Sequence, residues 1–232
     1  VEHRYDTDFE LPFGQESRFW YLTGVSEPDY SAIFVPKTGE FHLFAPKRET
    51  SYAVWNGRIR SQEEIQELYR PDVLHNSDAL QSVLDDLAPT RIFAGAEEEL
   101  SALGVVAPEG GAIDHRSVVD ILTLCRLHKT DGELERMRFA NQANSAAHEA
   151  VLRSVRPGAW EYQMKGVLEG TLMQHGLQFP AYNGIYASGT NSAILHYVVN
   201  HQEMSDGELF LIDSGYEFEG YGADLTRTWP VN

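Results

Sequence analysis

The chain has 232 residues, with 18 lysines and arginines against 35 aspartates and glutamates, a formal charge of −17. Such an acidic chain repels phosphate backbones and anionic lipid, which argues against nucleic-acid and membrane-surface roles. Its composition, 42% apolar and 23% charged, is that of an ordinary soluble globular protein, long enough for one large domain or two smaller ones.

No uninterrupted apolar run exceeds four residues, so the sequence predicts no membrane-spanning helix. The first eight residues, through Asp8, lack the basic and apolar regions of a secretory leader. The chain starts without methionine and stops at Pro230-Val231-Asn232, as expected of a segment cut from a longer chain. Cys125 is the only cysteine, so no internal disulfide can form, and a reducing, cytoplasmic setting is the default expectation.

Taken in order, Phe19–Leu22, Ala32–Val35 and Phe41–Phe44 read as strands, the last two joined by a hairpin turn at Pro36–Gly39. Ser61-Gln62-Glu63-Glu64 is a capping box opening an acidic helix to Tyr69. Ala79–Leu87 reads as a second helix, followed by a strand at Arg91–Ala94 and a turn-rich stretch from Gly104 to Gly111. Strands and helices in alternation predict an α/β domain over residues 1–114. A linking helix over 115–128 then leads to a second domain, 129–232, and Cys125 within that helix reads as buried packing.

The second domain opens with a long helix from Lys129 towards Pro157, with Leu134, Met137, Ala140, Asn144, Ala147 and Val151 spaced along one side. Met164, Val167, Leu168, Thr171 and Leu172 mark the next helix, which Gly176 stops. After Pro180 the period changes to strands, at Ile185–Ala187, Ala193–Tyr197, Leu209–Gly215 and Tyr221–Thr228. Two helices followed by an antiparallel sheet make this domain α+β.

The chemistry concentrates near the end. Asp213 closes the apolar run Leu209–Ile212, and Asp224 follows eleven residues later, with the turn-forming pair Glu219-Gly220 between them. Folded as a hairpin, the two aspartates fall opposite or nearly opposite on one face. Two carboxylates that close need a proton or a cation between them, and carboxylate ligands favour hard divalent ions such as manganese or magnesium. A solvated hairpin cap is the plainer reading of either aspartate alone; the apolar approach and matched spacing favour the pair as ligands. Asp213-Ser214-Gly215 also carries the Asp-Ser/Thr-Gly signature of aspartic proteases, but no second copy exists to supply the partner carboxylate. His196, in the apolar stretch Ile194–Tyr197, is either a core histidine or a catalytic one. There is no G-x-S-x-G elbow, no phosphate loop and no His-Glu-x-x-His zinc motif.

Together these stretches resemble the Xaa-Pro peptidases, aminopeptidase P and prolidase, of the pita-bread metallopeptidase family M24. The matching residues are Tyr182-Asn183, Ser188–Asn191, Ile194–Tyr197, Asp206–Leu209 and Asp213–Trp229, with Phe19–Pro28 and Val54–Arg58 similar to the family's N-terminal domain. The resemblance implies an α/β N-terminal domain and an α+β pita-bread catalytic domain, of which this chain carries the first half. It implies hydrolysis of the Xaa-Pro bond, a bond with no N–H for an ordinary peptidase to grip. It also implies two divalent metal ions, most simply manganese with zinc or cobalt possible, held by Asp213 and bridged by Asp224. His196 would touch the substrate, Tyr182 would line its pocket, and Trp55 would wall that pocket from a neighbouring subunit of a homodimer or homotetramer. The family's metal site has five ligands, and no counterpart of the remaining histidine and two glutamates follows Asp224 in this sequence. A non-catalytic binding module, a creatinase-like hydrolase and a methionine aminopeptidase are the alternatives on the same fold. The retained aspartates disfavour the first, and the N-terminal domain disfavours the last.

Overall fold

A computed structural model describes residues 5–95 and 97–232; the first four residues of the amino-terminal reading lie outside it. The chain divides into two compact units, Val1–Leu127 and His128–Asn232.

In the first unit, α1 (Ser17–Thr23) precedes an antiparallel hairpin of β1 (Ser31–Val35) and β2 (Glu40–Ala45). A short helix α2 (Tyr52–Asn56) and α3 (Gln62–Tyr69) lead to β3 (Val73–Asn76), which pairs parallel with β2. Then come α4 (Leu80–Leu87), β4 (Arg91–Phe93), α5 (Glu97–Ala102), β5 (Ala112–Asp114) parallel to β4, and α6 (Ser117–Leu127). Central β2 carries Leu43 and Phe44 into clusters on its two faces, the first with Val25 and Ile65, the second with Leu80 and Leu84. The capping box of α3 forms as expected, with Ser61 Oγ accepting from the Glu64 amide and the Glu64 carboxylate from the Ser61 amide.

Three local expectations are corrected here. Phe19–Leu22 is helical, because the Glu16 carboxylate accepts from the amides of Arg18 and Phe19 and Gly24 ends the helix in a left-handed turn. Two free amides thus find a cap, and a helix of about two turns outweighs the β-propensity of aromatic residues. Residues 112–114 form a strand, and the following helix starts only at Ser117, where Asp114 accepts from the amides of Arg116 and Ser117. Cys125 is exposed, because α6 buries chiefly Leu122.

The second unit begins with α7 (Asp131–Leu152), opened by a capping box at Thr130, and α8 (Glu161–Gln174). Strand β7 (Ile185–Ser188) pairs antiparallel with β8 (Leu209–Asp213), which pairs in turn with β11 (Thr226–Pro230). A smaller sheet joins β6 (Phe179–Pro180), β9 (Tyr216–Phe218) and β10 (Tyr221–Gly222). Ala143, Ala147 and Val151 of α7 and Met164, Leu168 and Leu172 of α8 form one core with Tyr186, Phe210 and Ile212 of the sheet. Each fully buried leucine in it stabilises by about 1.5–3 kcal/mol. Pro230 is accommodated because β11 is an edge strand.

Ala193–Tyr197 is not a strand. A 3₁₀ turn over Gly189–Ala193 runs into an irregular turn at Leu195-His196. The Ser192 hydroxyl donates to the Gly189 carbonyl and the Ile194 amide to the Asn191 carbonyl, local bonds that compete with sheet pairing. Among the described residues no helix is long and apolar enough to cross a membrane.

Candidate metal centre

The centre is built on one hairpin. Glu219 and Gly220 both have positive φ, 45° and 77°, the backbone of a type I′ turn whose twist suits the flanking strands. Pairing runs from Tyr221 opposite Phe218 out to Pro230 opposite Leu209, keeping one register throughout. Between the paired blocks the strands kink but stay bonded, the Ser214 amide donating to the Leu225 carbonyl and the Ala223 amide to the Tyr216 carbonyl. Asp213 faces Thr226, so Asp224, two residues before Thr226, lies on the same face and diagonal to Asp213. The Tyr221–Thr228 strand expected from sequence is therefore interrupted at 223–225, and Asp224 sits in the interruption.

Gly215 makes the crossing possible. A Cβ there would stand 1.8 Å from the Ala223 carbonyl oxygen, so the two backbones come closer than any other residue permits.

Tyr182, between β6 and β7, reaches both aspartates. Its hydroxyl lies 2.6 Å from Asp213 Oδ1 and 3.1 Å from Asp224 Oδ1. Burial, and then the hydrogen bond and negative charge of Asp213, raise the Tyr182 hydroxyl far above the usual phenol range. It therefore stays protonated, with one hydrogen for two carboxylates. Among the described residues neither aspartate forms an ion pair. The donor set, two carboxylates on one face without a compensating cation, suits a hard divalent ion. Among the described residues no third His, Cys, Asp or Glu joins them.

Among the described residues the other side chains singled out make no hydrogen bond to the two aspartates. His196 is exposed in its turn and makes no hydrogen bond to either aspartate among the described residues. Trp55 belongs to the first unit, on α2, with 86% of its surface exposed. Ser214 turns its hydroxyl to Tyr186 Oη at 2.9 Å, inside the fold.

Sequence reading missed the residues that hold the hairpin. Asn144 of α7 is fully buried and clasps Tyr216, its Oδ1 accepting from the amide at 2.9 Å and its Nδ2 donating to the carbonyl at 3.1 Å. One turn on, His148 Nε2 donates to the Ser214 carbonyl at 3.0 Å. The available signal was Asn144 within an otherwise apolar stripe, since a buried amide needs polar partners.

A helical layer on an antiparallel sheet, with paired aspartates on one hairpin, is the architecture of the pita-bread fold. Residues 135–232 match the model of metallopeptidase family M24, and residues 1–93 match the aminopeptidase P N-terminal domain. The two matches together cover most of the chain, which is similar over its length to Xaa-Pro peptidases. It is 34% identical to the Xaa-Pro aminopeptidase of Escherichia coli over 97% of this chain and 55% of that protein. It is also 34% identical to the Xaa-Pro dipeptidase of Pongo abelii over 99% of this chain and 49% of that one. Its structure matches proline aminopeptidase P II from Yersinia pestis with a TM-score of 0.88 at 30% identity, covering 100% of this chain and 57% of that chain. The chain thus spans about half the length of the relatives it matches.

Proposed function

We propose that the protein cleaves the Xaa-Pro bond of peptides with proline in second position, or of Xaa-Pro dipeptides, using two divalent metal ions. The observation that carries this reading is the convergence of Asp213 and Asp224 on one hydroxyl, Tyr182 Oη. Asp213 would hold one ion and Asp224 would bridge to the second. Manganese is the ion we assign, on the hardness of a carboxylate site. Bound there, the ions supply Lewis-acid activation of the scissile carbonyl and of water.

The chain's own residues do the rest. Tyr182, kept protonated, lines the pocket and offers a neutral donor beside the reacting group. His196, exposed beside the apolar Leu195 and Val198, contacts the substrate and its developing oxyanion. Trp55, projecting from α2, walls the pocket of a neighbouring subunit, which makes the protein a homodimer or homotetramer. The lone exposed thiol suits a reducing, cytoplasmic setting.

The test is a protein of the relatives' length assayed on an Xaa-Pro dipeptide and a longer Xaa-Pro peptide. Cleavage that a chelator removes and manganese restores is expected. Cleavage blocked by pepstatin but not by chelator would replace this reading with the aspartic-protease one, and no cleavage of either peptide would favour a binding module.

A further inference from the structure

Glu161, the first residue of α8, is completely buried, and among the described residues no charged partner accompanies it. Its carboxylate accepts five hydrogen bonds. Oε1 receives the Ser188 amide at 2.7 Å, the Ser188 hydroxyl at 2.9 Å and Asn191 Nδ2 at 3.3 Å. Oε2 receives the Tyr197 hydroxyl at 2.7 Å and the Gln202 amide at 3.0 Å. The Glu161 amide donates back to the Gln202 carbonyl at 3.0 Å. All these partners lie at the end of β7 or in the loop that follows it, and that loop carries His196.

Apolar burial does not hold this loop. Ile194, Leu195, Val198 and Val199 are 52%, 88%, 55% and 71% exposed, and Tyr197 is the one large apolar side chain from 194 to 199 that is buried. Tyr197 packs on Ile185, Ala187 and Leu211 while its hydroxyl reaches Glu161. Asn191 ties the same hydroxyl and Gln202 Oε1 together, at 3.0 and 2.7 Å. The position of His196 therefore depends on the residue after it, and that residue depends on Glu161.

We propose that Glu161 is a positioning residue: its buried carboxylate clamps both ends of the 188–202 loop and fixes His196 where the substrate meets it. The second half of this statement rests on the role given to His196 above. A carboxylate is required because every partner is a donor. A glutamine could keep the Ser188 bonds through its oxygen, but its NH₂ would confront the Gln202 amide, which cannot accept.

The test combines residue-resolved amide exchange on the 232-residue chain with kinetics at the relatives' length. In Glu161→Gln, exchange of the Gln202 amide should rise about tenfold or more, with the 194–200 amides following, while the core amides of β8 stay protected. Should Glu161→Gln fail to fold, Tyr197→Phe keeps the packed ring, removes one bond, and should speed exchange across 194–201 more mildly. Exchange within about twofold of the parent in whichever of the two folds would overturn the clamp. In the kinetic arm, Glu161→Gln should lower kcat about tenfold in the parent but by less than about twofold in a His196→Ala background. Equal losses in both backgrounds would overturn positioning through His196. Unchanged turnover in His196→Ala would sink the role of His196 and the functional half of the proposal with it; the exchange arm, needing no activity, tells that failure from failure of the clamp.

Discussion

His148 donates from Nε2 to the carbonyl of Ser214 at 3.0 Å, one residue beyond Asp213. A carbonyl can only accept, so the bond fixes the tautomer and leaves buried Nδ1 with a lone pair and no partner among the described residues. Burial, the largest influence, lowers the pKa of the ring and keeps it neutral. With Asn144 one turn earlier, α7 pins the kink of the hairpin at Ser214 and Tyr216, and so fixes where Asp224 returns past Asp213.

Removing the clasp should cost stability first. Asn144→Ala leaves the Tyr216 amide and carbonyl without their buried partner, a loss of about 1–3 kcal/mol per unsatisfied group. Urea unfolding should show a lower midpoint with little change in slope. An unchanged midpoint would mean that Tyr216 finds other partners.

Gly215 is the other determinant of the crossing. Gly215→Ala drives a methyl into the Ala223 carbonyl, and backbone cannot yield there as a flexible side chain would. The hairpin should open at 214–216 and cost at least the roughly 1–3 kcal/mol of an overpacked core site. Manganese binding should be lost along with stability. A variant of parental stability and metal affinity would show that the close approach is dispensable.

The first unit should respond to pH through His75. Its Nε2 bonds Nδ1 of His42 across β2 and β3 at 3.1 Å, and its ring stacks on Phe44. Burial and then the neighbouring His42 lower its pKa. The neutral ring thus contributes stability fully present above the ordinary histidine value. As pH falls through that value, the unfolded chain takes up a proton that the folded one resists, and stability is lost. Unfolding free energies at about pH 7.5 and about pH 5.5 should differ less in His75→Gln than in the parent. Equal differences would assign the pH dependence to other groups.

How much of this was legible in the sequence depends on how local the cause is. The capping boxes at Ser61 and Thr130 and the turn at Glu219-Gly220 are encoded within a few residues. The aspartate pair could be found because hairpin register follows from the turn. Phe19–Leu22 and Ala193–Tyr197 misled because both are short apolar runs, and such runs suit strand and turn alike. Their outcome was set by the Glu16 cap in one case, and in the other by the local Ser192 bond together with Glu161, 36 residues before Tyr197. Glu161 itself looked like any acidic residue opening a helix; only the fold brings five donors to it.

Trp55 separates assembly from folding. With 86% of its surface exposed on α2, it adds little to the stability of its own unit. Trp55→Ala should change unfolding free energy by less than about 0.5 kcal/mol, as surface substitutions do. In a protein of the relatives' length it should weaken self-association and raise KM more than it lowers kcat. Sedimentation showing a fully active monomer at micromolar concentration would remove the cross-subunit role.

The metal prediction separates a cation site from a hydrogen-bonded hairpin cap. In the 232-residue chain two carboxylates leave a bound ion mostly water-coordinated, so manganese should bind weakly and Xaa-Pro cleavage should be undetectable. Asp213→Asn and Asp224→Asn should each abolish that binding, since a neutral amide is a poor ligand for a hard cation. Tyr182 supplies the sharper test. Its hydroxyl partly satisfies the two carboxylates at 2.6 and 3.1 Å, and a cation must compete with it. Tyr182→Phe should therefore tighten manganese binding about two- to tenfold, the worth of a hydrogen bond to a charged group lost from the free state. At the relatives' length the same variant should lose turnover, because the donor beside the reacting group is gone. Titration calorimetry reads the first effect and a chelator-controlled assay the second. Weaker manganese binding in Tyr182→Phe would mean that the hydroxyl is itself a ligand. Binding that survives both aspartate variants would place the ion elsewhere.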